Sequence, residues 1–170
     1  MVPRRRQVLG TLTAASALAL TACGFKLREA PTLAFTSLYV GVADGSSFGN
    51  ELKSSLASLG ALQLVRDAKL KQTAQVLLEV LQDQREKTVV GVNAAGQVRE
   101  FQLRIRVKFK LVTPQGKDLI EETELLQQRD ISFNESAVLA KEAEEGRLYR
   151  NMQTDIVQQL LRRLAAIKQI

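Results

Sequence analysis

Histidine and tryptophan are absent from this 170-residue chain, and cysteine occurs only once, at Cys23. The absence of histidine excludes Ser-His and Cys-His catalytic arrangements and metal sites built on imidazole. Glycine-rich phosphate loops of the P-loop or dinucleotide type are also missing. Aromatic residues make up only 5% of the chain, which disfavours nucleic-acid binding through stacked bases. We therefore predict a protein with no cofactor and no metal site; catalysis by carboxylates alone or by a Ser-Lys pair stays open, although nothing in the sequence points to it.

The single cysteine lies at the end of a segment with the three parts of a secretory signal. Arginines at positions 4–6 precede a moderately apolar run over residues 8–20, and Thr21 and Ala22 come directly before Cys23. The apolar run is too short for a permanent membrane span. A leucine, two small residues and a cysteine are typical of the bacterial lipobox, where cleavage leaves an acylated cysteine as the first residue. The sequence therefore predicts lipidation at Cys23.

The predicted lipidation at Cys23 divides the chain into three parts. We expect residues 1–22 to be a cleaved signal peptide, residues 23–36 a lipidated tether and residues 37–170 a single domain. Each buried methylene contributes about 0.8 kcal/mol, so several acyl chains anchor a protein stably. Gly24 follows the cysteine where an aspartate would favour inner-membrane retention, so we expect the outer membrane. A free thiol or an intermolecular disulfide is the alternative for Cys23, and Sec and twin-arginine export both remain open.

The first elements of the domain are a strand and a helix. Without the signal peptide the chain keeps 148 residues and a formal charge of +3, because the removed segment carries three arginines and no acid. Residues 37–42 form an apolar segment that predicts a buried strand. The helix that follows has Ser46 or Ser47 as its N-cap and ends at Gly60. Its apolar face consists of Phe48, Leu52, Leu56 and Leu59.

The middle of the chain predicts a three-stranded antiparallel meander. The strands are residues 74–88, 97–113 and 118–133, with turns at 93–96 and 114–116. The second strand alternates strictly between apolar and basic residues, which predicts one face on a core and one in water. The alternation of the third strand is poorer, and we expect a bulge or a twist there.

A long amphipathic helix ends the chain. Its apolar stripe begins at Leu148, while residues 138–145 form an earlier helical segment capped by Asn134 or Ser136. Gly146 lies between the two parts and predicts a bend. The stripe could dock on a membrane, but a sheet with an apolar face needs covering, so we expect it to pack in the core. The predicted fold class is α+β, a two-layer sandwich with a four-stranded, mostly antiparallel sheet and two helices on one face, in the order β-α-β-β-β-α.

The order of these features resembles the LPS-assembly lipoprotein family LptE, also called RlpB. The resemblance rests on the whole mature chain and on four runs of sequence, namely Gly24-Phe25-Lys26-Leu27-Arg28, Gly-Gln-Val-Arg-Glu-Phe at 96–101, Leu139-Ala140-Lys141-Glu142 and Leu160-Leu161-Arg162-Arg163-Leu164. It implies an outer-membrane lipoprotein on the periplasmic side that sits in the lumen of the LptD β-barrel. There it would help to assemble the barrel and take part in the transport of lipopolysaccharide to the cell surface. It implies no enzyme.

The basic strand supplies the first candidates for lipopolysaccharide contact. Arg104, Arg106, Lys108 and Lys110 share one face at roughly 7 Å spacing, which suits several phosphates of an anionic glycolipid. Neutralisation by acids on the neighbouring strands is the alternative, and would leave exposed pairs worth less than about 1 kcal/mol each. The predicted register pairs Lys108 with Glu122, Arg106 with Glu124 and Asp83, Lys110 with Glu79, and Arg104 with Arg85. Arg85 and Arg104 are then the least compensated cations and join the list of candidates.

Lys141 is the remaining candidate for lipopolysaccharide contact. It matches the lysine of the Leu-Ala-Lys-Glu run that the resemblance places at the start of the last helix. The alternative is a solvent-exposed lysine paired with Glu145 at i+4. The turn at 92–96 has no basic residue, although the family often carries one there, so we expect no ligand contact from that turn.

Two other functions remain as alternatives. The chain could be a non-catalytic scaffold lipoprotein of another envelope complex, with protein partners only. It could also be a lipid-anchored hydrolase that uses a carboxylate pair such as Glu121 and Glu124, although these acids are better explained as partners of the basic strand. Copurification with a large barrel and specific binding of lipopolysaccharide would distinguish the lipopolysaccharide-assembly function from these two alternatives.

Overall fold

The computed structural model describes residues 32–170 and begins with a strand-helix-strand unit. β1 (Ser37–Gly41) leads through α1 (Ser47–Ala57) to β2 (Gln63–Val65), which lies parallel to β1. The Ser46 hydroxyl accepts the Gly49 N–H at 2.8 Å, which satisfies one of the free donors of the first helical turn. Gly60 follows the helix with φ +72°, a left-handed conformation that costs glycine no steric strain. The predicted serine cap and glycine stop are confirmed.

The sheet has five strands, so the prediction of four strands is wrong in that detail. The additional strand is β2, and the strand order is β2-β1-β3-β4-β5. A strand of three residues is too short to produce a period in the sequence. It is held by pairing instead, beginning with the Gln63 N–H, which donates to the Thr36 carbonyl at 2.8 Å. The α+β class with helices packed on a mostly antiparallel sheet is confirmed.

The three long strands form the predicted meander. β3 (Val76–Val92), β4 (Val98–Val112) and β5 (Asp118–Ser132) pair in antiparallel order, and β1 lies parallel to the first residues of β3. Register shifts occur in β3 near Leu81 and between β4 and β5 near Lys110. The second of these shifts confirms the irregularity expected from the poor alternation of β5.

The last helix is α2 (Val138–Ala165), which runs without interruption for 28 residues. A short 3₁₀ turn, Glu135–Ala137, precedes it, and the Asn134 carboxamide accepts the Ser136 N–H at 3.0 Å. The two segments predicted on either side of Gly146 form this one helix, whose apolar stripe packs on the sheet. Within residues 32–170, no helix combines the length and apolar character needed to cross a membrane.

The main core lies between the sheet and the two helices. α1 contributes Phe48, Leu52 and Leu56, and α2 contributes its stripe from Met152 to Leu164. From the sheet come the apolar residues of β4, which are at most 1% exposed over Leu103 to Leu111. Phe35 is also buried in this cluster, so core packing begins two residues before β1.

The other face of the sheet is only partly covered. A 3₁₀ helix, Ala68–Thr73, connects β2 to β3 on this side, and the chain after it joins a small cluster made of Tyr39, Val65, Ala74, Leu77 and Val112. Beyond this cluster the face carries the polar residues of β3, β4 and β5. We call this uncovered area the open face.

Candidate functional site

The open face carries the four basic residues of β4. Arg104, Arg106, Lys108 and Lys110 alternate with buried residues and are themselves half-buried. The strict period of two therefore positions these four cations as the sequence predicts.

Acids on both neighbouring strands neutralise three of these cations. Lys110 Nζ lies 3.1 Å from Glu79 of β3, and Arg106 lies 3.4 Å from Glu124 of β5. Lys108 lies 3.6 Å from Glu122 and 4.0 Å from Glu124. The predicted ion pairs of Lys110 with Glu79, Arg106 with Glu124 and Lys108 with Glu122 all form. The predicted β4-β5 register is wrong, because the β5 bulge places Glu124 directly opposite Lys108 and Leu126 opposite Arg106. Three of the four basic residues of β4 therefore form salt bridges across the sheet, as expected if acids on the neighbouring strands neutralise them.

Arg104 and Arg85 do not meet, so the predicted pairing of these two arginines is wrong. The β3 bulge near Leu81 shifts the register by one residue, and a shift of one moves every later side chain to the other face. Arg104 is therefore opposite Glu86, and Arg106 is opposite Gln84 rather than Asp83. Among the described residues Arg104 makes no ion pair, and its Nε donates to the Gln102 carboxamide at 2.7 Å. It is the least compensated cation of the open face.

Arg85 lies on the helix side, in a polar cluster that ties β3 to both helices. Its guanidinium donates to the Ser47 hydroxyl at 2.8 Å and to the carboxamide oxygen of Gln153. It also lies 5.4 Å from the centre of the Tyr149 ring. Burial, and then the Glu145 carboxylate, raise the pKa of Tyr149, while the nearby Arg85 cation opposes that shift. Arg85 is exposed, but its guanidinium has three protein partners, Ser47, Gln153 and Tyr149, that the sequence left unassigned.

Lys141 lies at the start of α2 and pairs differently from the expected i+4 contact. Its Nζ donates to Glu144 at 2.9 Å and to the Ser132 hydroxyl at 3.0 Å. Glu145 instead accepts from Lys87 of β3 at 2.6 Å. The predicted pair of Lys141 and Glu145 is therefore wrong, because the approach of β3 supplies Glu145 with another cation.

Lys141 and Lys87 share a small cavity, which we call the Lys141 pocket. It measures about 250 Å³ and lies between the first turns of α2 and the neighbouring parts of β3, β4 and β5. Phe101 and Phe133 form its aromatic floor, with ring centres 5.4 Å apart in an edge-to-face arrangement. Lys87 Nζ lies 4.4 Å from the centre of the Phe101 ring. The pocket thus combines two ammonium groups, the carboxylates of Glu142 and Glu145 and an apolar surface.

Sequence reasoning missed Lys87, Phe101 and Phe133. Lys87 lies two residues after Arg85 and therefore shares its face, so a correct β3 register would have found it. Phe101 pairs with Val89, which lies two residues after Lys87, and this pairing places the Phe101 ring beside the Lys87 side chain. Only the tertiary approach of α2 brings Lys141 to the same place.

Exposed apolar residues lie near the Lys141 pocket, at the tip of the β3-β4 hairpin and on the first turn of α2. Val89, Val90 and Val92 at the tip of the β3-β4 hairpin are 46 to 60% exposed, and Leu139 on the first turn of α2 is 82% exposed. The turn itself has Asn93, whose carboxamide accepts the Ala95 and Gln97 N–H groups, and no basic residue, as the sequence shows. We call the hairpin tip and the start of α2 the distal end. Apolar surface of this kind is typical of a contact with another molecule.

The predicted lipidation site, Cys23, lies outside the described residues. Within residues 32–170, no group of three or more acidic residues is arranged to hold a metal ion.

Comparisons with known proteins agree with these features. A family model for LptE, described as lipopolysaccharide-assembly, matches residues 35–164. The solution structure of an uncharacterized lipoprotein B from Nitrosomonas europaea is 32% identical, with 84% of this chain and 91% of that chain covered and a TM-score of 0.71. The rare lipoprotein B from Shewanella oneidensis is 20% identical, with coverages of 77% and 95% and a TM-score of 0.63, which shows the same fold. No curated protein sequence is significantly similar.

Proposed function

Since this chain belongs to the LptE family of lipopolysaccharide-assembly proteins, we propose that it is the lipoprotein that occupies the LptD β-barrel. Family membership supports a role in lipopolysaccharide assembly as a membrane-associated lipoprotein, and the absence of enzymatic activity is part of the proposal. The finer proposal is an outer-membrane location on the periplasmic side, with acyl chains on Cys23 as the anchor. In the barrel lumen the domain supports barrel assembly and contacts lipopolysaccharide on its way to the surface.

The observation that carries this proposal is the extent of the family match. Residues 35–164 include every strand and nearly all of α2, so the similarity covers the whole described domain rather than one motif. The lipoprotein from Nitrosomonas europaea extends the same similarity over most of both chains.

The Lys141 pocket is the contact that we propose for lipopolysaccharide. A phosphate group carries more negative charge than the carboxylates that now pair with Lys87 and Lys141, and the four side chains of these pairs are 23 to 38% exposed. A phosphate can therefore compete with Glu145 and Glu144 for the two ammonium groups. The Phe101 and Phe133 rings then contact the apolar part of the same ligand.

The open face is proposed as a secondary contact. Arg104 is available for a phosphate, because it makes no ion pair among the described residues. Arg106, Lys108 and Lys110 would have to exchange their glutamates first. The binding of lipopolysaccharide should therefore depend more on Arg104 than on the other three cations.

Purification of the lipidated protein from its own cells tests the barrel proposal. The protein is extracted in a mild detergent, and copurifying proteins are identified by mass spectrometry. A stoichiometric outer-membrane barrel of the LptD type is the expected result. Copurification with an inner-membrane transporter, or with a different envelope complex, would support the scaffold alternative instead.

Binding of purified lipopolysaccharide tests the pocket separately. Lys87→Gln with Lys141→Gln should weaken binding by about tenfold, or about 1.4 kcal/mol, because two charge-assisted contacts are lost. The matched control is Lys53→Gln with Arg66→Gln, which removes the same charge from exposed positions near α1 and β2. Equal losses in both variants would mean that net charge, and not the pocket, governs binding.

A further inference from the structure

One end of the described domain gathers the starts of several strands. β1, β2 and β3 all begin there, because Ser37 pairs with Gln63 and Leu38 pairs with Val76. The β4-β5 turn lies at the same end, since Val112 pairs with both Leu77 and Asp118. The last turn of α2 also ends there, beside Leu119 and Ile120 of β5. We call this the tether end, opposite the distal end.

The described chain enters the fold at the tether end and is held there. The Thr36 N–H donates to the Gln75 carboxamide at 2.8 Å, and the Gln75 N–H donates to the Ser37 hydroxyl at 2.9 Å. Ten residues lie from Cys23 to Thr32, and they span at most about 35 Å when fully extended. The 17 residues of β3 alone extend over about 55 Å. Acyl chains on Cys23 would therefore keep the tether end close to a membrane without restricting the distal end.

The tether end is basic, although the domain as a whole is nearly neutral. Residues 32–170 contain 19 basic and 17 acidic side chains. Six exposed basic residues lie at or near the tether end, namely Lys69, Lys71, Lys117, Arg162, Arg163 and Lys168. The acids nearby are Asp67, Asp118 and Glu121, and the Asp67 carboxylate already accepts the Lys69 N–H at 2.8 Å. Among the described residues, none of these nine side chains forms an ion pair.

The 3₁₀ helix adds an apolar group to this charged surface. Leu70 lies between Lys69 and Lys71 and is 53% exposed. Lysines that flank an exposed leucine can place their ammonium groups at phosphates while the leucine enters the headgroup region. Charge and shape therefore suit a lipid surface better than a single anionic ligand, because no described cavity encloses the six cations.

We propose that the tether end docks on an anionic phospholipid surface through Lys69, Leu70, Lys71 and Lys117, in the free lipoprotein before it meets a barrel. The inference rests on the lipidation of Cys23, which belongs to the proposed function. Each lysine near an anionic surface strengthens docking by about fivefold, and the acyl anchor makes this contact intramolecular. Modest contacts therefore suffice to orient the domain on the membrane.

Energy transfer from two labelled positions tests the docking. The lipidated full chain is reconstituted in vesicles, where acylation of Cys23 leaves an introduced cysteine as the only free thiol. Gln115→Cys carries a donor dye at the tether end and Ala94→Cys carries it at the distal end, with acceptor dyes on lipid headgroups. Vesicles of phosphatidylcholine with phosphatidylglycerol are compared with phosphatidylcholine alone. Transfer from position 115 should rise with the anionic lipid and fall in about 1 M salt, where the screening length is about 3 Å.

Charge-neutralised variants assign the effect to the tether end. Lys69→Gln, Lys71→Gln and Lys117→Gln together should lower the ratio of docked to undocked protein by on the order of 100-fold. The control neutralises Lys53, Arg99 and Arg147, which are exposed elsewhere, and should leave the ratio nearly unchanged. Equal losses in the two variants, equal transfer from positions 94 and 115, or no dependence on anionic lipid would each overturn the proposal.

Lipidation and barrel binding are measured independently of docking. Mass spectrometry and flotation with phosphatidylcholine vesicles detect the acyl anchor whatever the lipid charge. An unacylated protein would overturn both the anchor and the docking inference. An acylated protein that copurifies with the barrel but shows no charge-dependent transfer would overturn the docking inference alone.

Discussion

Replacement of Gln153 tests the polar cluster that ties β3 to the two helices. The Gln153 carboxamide is 6% exposed and bonds to side chains of Ser47 and Arg85 through its oxygen and to Glu51 through its nitrogen. Gln153→Met keeps the buried volume and removes these bonds, whereas Gln153→Ala removes both.

The expected losses differ because the two substitutions remove different interactions. The bonds to Arg85 and Glu51 are charge-assisted, but both partners reach solvent and regain water, so we assign about 1 kcal/mol to each. Loss of one buried methylene, the Cγ, in Gln153→Ala adds about 0.8 kcal/mol, and the higher helix propensity of alanine returns about 0.4 kcal/mol. The free energy of unfolding should fall by about 2 kcal/mol in Gln153→Met and by about 2.4 kcal/mol in Gln153→Ala.

Urea unfolding of the lipidated protein in mild detergent, followed by circular dichroism, measures these losses. The control is Gln159→Ala on the same helix, whose side chain makes no hydrogen bond to another described residue, and it should change stability by less than about 0.5 kcal/mol. All variants should keep the same dependence on urea concentration. A Gln153→Met protein that unfolds at the wild-type midpoint would show that the cluster contributes no stability, and the reasoning would then fail.

Two further outcomes follow from the charges on the two faces of the sheet. A double-mutant cycle with Arg106→Ala and Glu124→Ala should give a coupling free energy below about 1 kcal/mol, because both side chains are about one-third exposed. This coupling should decrease as the salt concentration rises. A larger coupling free energy would contradict the interpretation as a surface ion pair. In a Tyr39→Phe background, absorbance titration should give Tyr149 a pKa above its usual 10, and Arg85→Gln should raise that pKa further. Since the folded pKa is raised, the contribution of Tyr149 to stability should decrease as the pH rises above about 10, and an unshifted titration would contradict its burial.

Local patterns were enough to predict the long elements of the fold. The period-two alternation of β4 indicated both its buried face and its basic face, and the serine and glycine around α1 indicated where that helix begins and ends. The pairing of Lys110 with Glu79 could also be predicted, because it lies before the β3 bulge, where the register is regular. Patterns of this kind are carried by neighbouring residues, so no tertiary information is needed to detect them.

The candidate sites were less predictable because they depend on register and on distant contacts. One extra residue near Leu81 of β3 moves Arg85 from the open face to the helix side, and no composition or spacing signal gives the position of that bulge. The Lys141 pocket needs α2 to pack beside β3, which joins residues more than fifty positions apart. The sequence by itself predicted a lipobox at Cys23, and it determined the types of the long strands and helices and which residues carry charge. Tertiary structure alone decided which charges face each other, because side-chain partners across a sheet follow from the exact register and from packing that no local pattern encodes.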